Sequence, residues 1–279
     1  MSSKLFLVLS VLIGMITLSN CAIAQDENFY IFLSFGQSNM EGHAKFEEID
    51  TEVDERFQVL QAVDCENLER KKGIWYPAAA PLTRCHTGLG PSDYFGRELV
   101  ENLPAHIKVG VINVSVGGTK IELFQKDNYQ SYVDTAPDWL QNMVKEYDGD
   151  PYGRLIEMAK LAQKDGVIKG ILLHQGESNT GDQEWPLKVK GVYDTIVEDL
   201  GLDENSLPIL AGEMVSAEQG GKCASMNAII ATLPQVIPNA YVISSENCEA
   251  VNDGLHFSAT GYRELGRRYG KQMLAILGY

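Results

Sequence analysis

Basic residues are scarce in this chain. Lys and Arg number 23 against 38 Asp and Glu, a formal net charge of −15 with a pI near 4.7. A surface of that sign repels nucleic acid and anionic membranes, so neither is expected as a partner. Cysteine is sparse too, five in 279 residues, and no two stand in the CxxC spacing that a zinc site favours. No metal or cofactor is expected. There is no internal repeat, no low-complexity tract and no Pro- or Ser-rich linker to mark a second domain. The α/β-hydrolase elbow GxSxG is also missing.

Long apolar runs are confined to the first residues. Leu5 to Leu18 is short for a membrane span; Lys4 precedes it and the small-x-small string Ala22-Ile23-Ala24 follows. Residues 1–24 are therefore expected to be a cleaved export signal, and residues 25–279 a single mature domain, periplasmic or secreted, monomeric and without a membrane span. A lipoprotein at Cys21 is the alternative, but Asn20 is bulky for the position before a lipidated cysteine. Cleavage leaves Cys65, Cys85, Cys223 and Cys248. An even count in an exported chain suggests two bridges. Of three pairings the sequence neighbours are simplest, Cys65–Cys85 and Cys223–Cys248, each closing a short loop for about 3 kcal/mol. Free buried thiols are the alternative.

What is present is an alternation. Continuous apolar runs at Phe29–Phe35, Val109–Val116, Val167–His174, Pro208–Met214 and Ala240–Ser244 suit strands buried on both faces. Helical patterns separate them at Tyr94–Asn102, Gly153–Lys164, Leu187–Leu200, Ser225–Leu233 and Ala259–Leu277. This predicts a doubly wound α/β fold with a mostly parallel five-stranded sheet. Two stretches, Ala44–Pro91 and Gln125–Asp150, break the rhythm and are expected to be irregular loops, the first held beside the site by a disulfide.

Ligand sites in open parallel sheets form outside the carboxyl ends of the strands. The polar clusters fall there: Ser38 after the first strand, Gly117 and Gly118 after the second, Gln175 and Glu177 after the third, Asp253 and His256 after the fifth. A serine hydroxyl needs a base to take its proton, and the base needs an acceptor to orient it. Ser38, His256 and Asp253 are the expected nucleophile, base and orienting acid, with Glu177 the rival acid. Individually each has a plainer explanation: a helix cap, a core histidine, an Asx turn. Ser38 N–H, Gly118 N–H and the Gln175 amide are the expected oxyanion donors. Trp75, Tyr76, Trp139 and Trp185 are candidate ring-stacking surfaces, though most aromatics are packing.

Four strings, Gly36-Gln37-Ser38-Asn39-Met40, Asn113-Val-Ser-Val-Gly117-Gly118, His174-Gln175-Gly176-Glu177-Ser178 and Asp253-Gly-Leu-His256-Phe-Ser, resemble those of the SGNH/GDSL hydrolase superfamily. More narrowly they resemble its sialate O-acetylesterase-like branch, with the acetylxylan esterases of carbohydrate esterase family six. The resemblance implies a flavodoxin-like three-layer α/β/α sandwich and metal-free removal of acetyl groups from glycans. It implies the same three catalytic residues and oxyanion donors. Gln175 stands where the wider superfamily carries Asn. A non-catalytic carbohydrate-binding protein, or a lipid or thioester hydrolase on this fold, are the competing expectations.

Overall fold

The computed structural model describes residues 25–279; the segment expected to be an export signal, with Cys21, lies outside the described residues. The chain runs β1 (Asp26–Gly36), α1 (Ser38–Glu41), β2 (Phe57–Leu60), β3 (Trp75–Pro77), α2 (Pro91–Asn102), β4 (Lys108–Ser115), α3 (Tyr129–Asp134), α4 (Asp138–Lys145), α5 (Pro151–Ala162), β5 (Gly166–His174), α6 (Trp185–Leu200), β6 (Ile209–Gly212), α7 (Asn227–Ile230), β7 (Ala240–Ile243) and α8 (Ala259–Leu277). One sheet of order β3-β2-β4-β1-β5-β6-β7 results, parallel except for the β2–β3 pair.

The sheet is buried on both faces because its strands are apolar on both. Ile31, Leu33 and Phe35 of β1 point into one core, with Leu155 and Met158 of α5 and Val192 and Ile196 of α6. Phe32 points the other way, to Phe95 and Leu99 of α2 and Leu265 and Tyr269 of α8. This is the flavodoxin-like three-layer sandwich. Caps sit where the chain turns into helices: Asp150 accepts from Gly153 N at 2.8 Å before α5, and Ser258 accepts from Gly261 N at 3.1 Å before α8. Among the described residues no helix is long and apolar enough to cross a membrane.

The sheet has seven strands, not five. The two additions, of four and three residues, lie in the segment expected to be irregular and are too short for an alternation to stand out. The helix expected over Ser225–Leu233 is broken into a 3₁₀ turn (Ala224–Met226), the single turn of α7, and a second 3₁₀ turn (Leu233–Gln235). Pro234 prevents its continuation. The stretch 125–150 holds two short helices, α3 and α4.

Cys65 and Cys85 are bonded, as expected. Cys223 and Cys248 are not, and this overturns the second predicted bridge. The reason is position: Cys223 packs against the core layer of α5 and α6, whereas Cys248 is buried in the layer of α2 and α8. Burial pushes the Cys248 thiol up to about 11. A thiol-titrating disulfide reagent on the folded 25–279 chain should therefore modify Cys223 first and Cys248 only after denaturation. A folded and unfolded titre of zero would restore the second bridge.

Candidate active site

The turn that carries Ser38 is made possible by a close approach. A Cβ on Gly36 would lie 2.1 Å from the His174 carbonyl oxygen, so only glycine lets the ends of β1 and β5 meet this tightly. Ser38 then opens α1, and the two residues flanking it are buried and tied to neighbouring loops. The Gln37 side-chain oxygen accepts from Gln175 Nε2 (3.2 Å) and from the Gly176 and Ser178 amides (3.4 and 3.3 Å). Asn39 donates to Glu177 and to the Leu255 carbonyl (2.9 Å) and accepts from Tyr262 Oη (2.6 Å) and Phe257 N (3.4 Å). Ser38 itself is left half-buried at the surface of the pocket.

The loop between β7 and α8 delivers the other two groups. Asp253 Oδ1 accepts from the Leu255 and His256 amides at 2.7 and 2.9 Å, an Asx turn, while Oδ2 bonds His256 Nδ1 at 2.7 Å. His256 Nε2 lies 2.8 Å from Ser38 Oγ. Burial acts to raise the Asp253 carboxyl, but the hydrogen bonds from the His256 ring and from the two backbone amides outweigh it and pull it down to about 2. An ionised Asp253 fixes the neutral ring's proton on Nδ1 and leaves the Nε2 lone pair to accept from the serine hydroxyl.

The β4 end supplies the opposite wall. Gly117 N donates to Glu41 Oε1 at 3.3 Å, so that amide is engaged. Gly118 has φ +70°, and a Cβ there would press to 2.7 Å of the Trp139 ring. Among the described residues the Ser38 and Gly118 amides have no acceptor, and both residues line the pocket. Glu41 is held by Arg84, whose Nε is 3.0 Å from Oε1 and whose Nη1 reaches Glu146. Burial drives the Glu41 carboxyl up, and Arg84 pulls it back only in part. Arg84 adjoins Cys85, so the disulfide does anchor the long first loop beside the site.

Gln175 is not placed as expected. Trp185 Nε1 can only donate, which identifies the Gln175 oxygen as its acceptor. Gln175 Nε2 then faces Gln37 Oε1, the Thr119 carbonyl and Asn179 Oδ1 (3.2, 3.2 and 2.8 Å). The amide is 1% exposed and fully engaged inside the protein, so it braces the loop after β4 against the turn that carries Ser38 instead of reaching into the pocket. Glu177 touches Asn39, not His256. It also lies 3.8 Å from Nδ1 of His174, a wholly buried ring whose Nε2 must donate to the Glu213 carbonyl at 3.0 Å. Burial lowers the His174 pKa.

Three features escaped the sequence. Gln37 and Asn39 brace the serine, and their signal was an amide on each side of a candidate nucleophile at a buried strand end. His43 stacks on His256, centroids 3.7 Å apart and planes 13° off parallel; nothing in the sequence marks it. Of the four aromatics considered, Trp139 is half-exposed and lines the pocket, whereas Trp185 is buried and Trp75 and Tyr76 sit on the edge strand β3. The pocket holds about 450 Å³ and is lined by Ser38, Gly118, Trp139, Glu177, Cys223 and His256 among others.

The fold recurs in solved structures. A protein from Arabidopsis thaliana matches at 20% identity and TM-score 0.68, covering 90% of this chain and 99% of that one. NanS matches at 14% identity and TM-score 0.66, covering 91% and 99%. A carbohydrate acetylesterase from Xanthomonas citri matches at 16% identity and TM-score 0.62, covering 88% of this chain and 56% of that one. A family model of carbohydrate esterases matches residues 28–275. The chain belongs to that family, the carbohydrate esterases described as sialic acid-specific acetylesterase.

Proposed function

We propose that the protein is an exported carbohydrate acetylesterase that works through a Ser-His-Asp acyl-enzyme. The observation that carries this is the unbroken hydrogen-bond line Ser38 Oγ–His256 Nε2, His256 Nδ1–Asp253 Oδ2, ending beside two unengaged amides. His256 Nε2 takes the Ser38 proton as Oγ attacks the acetyl carbonyl carbon. The oxyanion is received by the Ser38 and Gly118 amides, donors of a kind whose loss costs about 3–4 kcal/mol. His256 returns the proton to the sugar oxygen, the C–O bond breaks and the alcohol leaves. Water, deprotonated by His256, then attacks the acetyl-serine, and acetate departs with Ser38 restored.

Glycan as the alcohol is supported by the family and by the half-exposed Trp139 beside Gly118, a flat apolar face of the kind that stacks on sugar rings. We favour an acetylxylan-like neutral substrate. O-acetylated sialic acid is the second reading, favoured by the description of the family. Export is supported by the Cys65–Cys85 bridge, which suits an oxidising compartment.

Ser38→Ala should lower p-nitrophenyl acetate turnover by roughly 10⁵–10⁶-fold with an unchanged circular dichroism spectrum; substantial residual turnover would remove the nucleophile assignment. Asp253→Asn, which upsets the tautomer of His256, should cost on the order of 10⁴-fold in kcat. Glu177→Gln keeps an acceptor for Asn39 and should cost far less; the opposite order would make Glu177 the partner of the base. Since Asp253 stays ionised down to about pH 2, protonation of this carboxylate should not set the acid limb of kcat/KM. A limb in the usual carboxylate range, abolished by Asp253→Asn, would contradict this.

A further inference from the structure

We propose that the substrate spans at least two sugar units, with the second, uncharged unit held in a cavity adjoining the catalytic pocket; this rests on the esterase reading above. The cavity measures about 570 Å³ and is lined by His43, Lys45, Phe46, Arg84, His86 and Glu146 among others. Glu41 and His43 line both it and the catalytic pocket, so the two adjoin. The 450 Å³ pocket around Ser38 exceeds what an acetyl group needs and has room for the sugar that carries it.

Direction follows from the chemistry. The leaving sugar oxygen must come within reach of His256 Nε2, which returns its proton. His43 is stacked on His256, and the larger cavity opens at His43. The chain beyond the ester therefore has a route past His43 into this cavity. Its walls suit a sugar: Phe46 is 42% exposed, and His43 and His86 are exposed rings. Such faces pack against the C–H faces of a pyranose, while Lys45 and backbone groups meet hydroxyls.

Charge in the wall is already matched. Arg84 is bonded to both Glu41 and Glu146, so its guanidinium is not free to receive a carboxylate. Lys45 and Arg84 balance Glu41 and Glu146, which favours an uncharged occupant over an acidic one.

The test compares kcat/KM of the 25–279 protein on acetylated xylose, acetylated xylotetraose, O-acetylated sialic acid and p-nitrophenyl acetate. The tetrasaccharide is expected to be preferred over the monosaccharide. The double variant Phe46→Ala/His86→Ala, at two exposed positions outside the catalytic groups, should lose roughly 3- to 10-fold on the tetrasaccharide alone. Equal rates on the two xylose substrates, a preference for the sialic acid ester, or an equal loss on all substrates would overturn the proposal. If no ester is turned over, the esterase reading itself fails. Calorimetric titration of Ser38→Ala with unacetylated xylotetraose then decides the cavity separately: binding weakened by the double variant supports it, and absent or unaffected binding overturns it.

Discussion

The side chain of Asn39 is the constraint on which the site depends. It is completely buried, and both N–H groups and both faces of its oxygen have partners drawn from three separate segments. A buried amide left unpaired costs about 1–3 kcal/mol, so a fully satisfied one admits a single arrangement. That arrangement sets the turn carrying Ser38 against the loop before α8. The 2.8 Å separation of Ser38 Oγ and His256 Nε2 follows from it, together with the Asp253 carboxylate and the His43 ring that hold the imidazole. Gln37 does the same on the other side of the serine, toward the end of β5.

A second brace is ionic. The bridge at Cys85 fixes the loop that carries Arg84, Arg84 holds Glu41, and Glu41 takes the Gly117 amide. By engaging one glycine amide and leaving the next, this chain aims Gly118 at the pocket. A carboxylate so close to a developing oxyanion would oppose catalysis if it were unpaired. Arg84 offsets that charge.

Much of this was legible in the sequence. Strands apolar on both faces announce a covered parallel sheet, and five of the seven were visible because their runs are long or uniformly apolar. β2 and β3 were not, since strands of four and three residues are fixed by the neighbour they pair with and not by their own pattern. Ser38, Asp253 and His256 stood out because together they complete a nucleophile, base and acid set at one edge of the sheet, although each alone has a plainer use. Gln175 misled because a polar residue at a strand end can face inward as readily as outward, and the indole of Trp185, ten residues on, turns it inward. Cys223 and Cys248 misled because adjacency along the chain says nothing about which side of a sheet a residue lies on.

The order of the parts along the chain has a temporal consequence. Ser38, the proposed nucleophile, follows the first strand, and His256, the proposed base, lies in the last loop before the final helix, so a partly synthesised polypeptide has the serine without the histidine. Asn39 likewise lacks Leu255, Phe257 and Tyr262 until that end arrives. On the proposed mechanism, the line from Ser38 through His256 to Asp253 therefore closes only when the C-terminal part of the chain is in place.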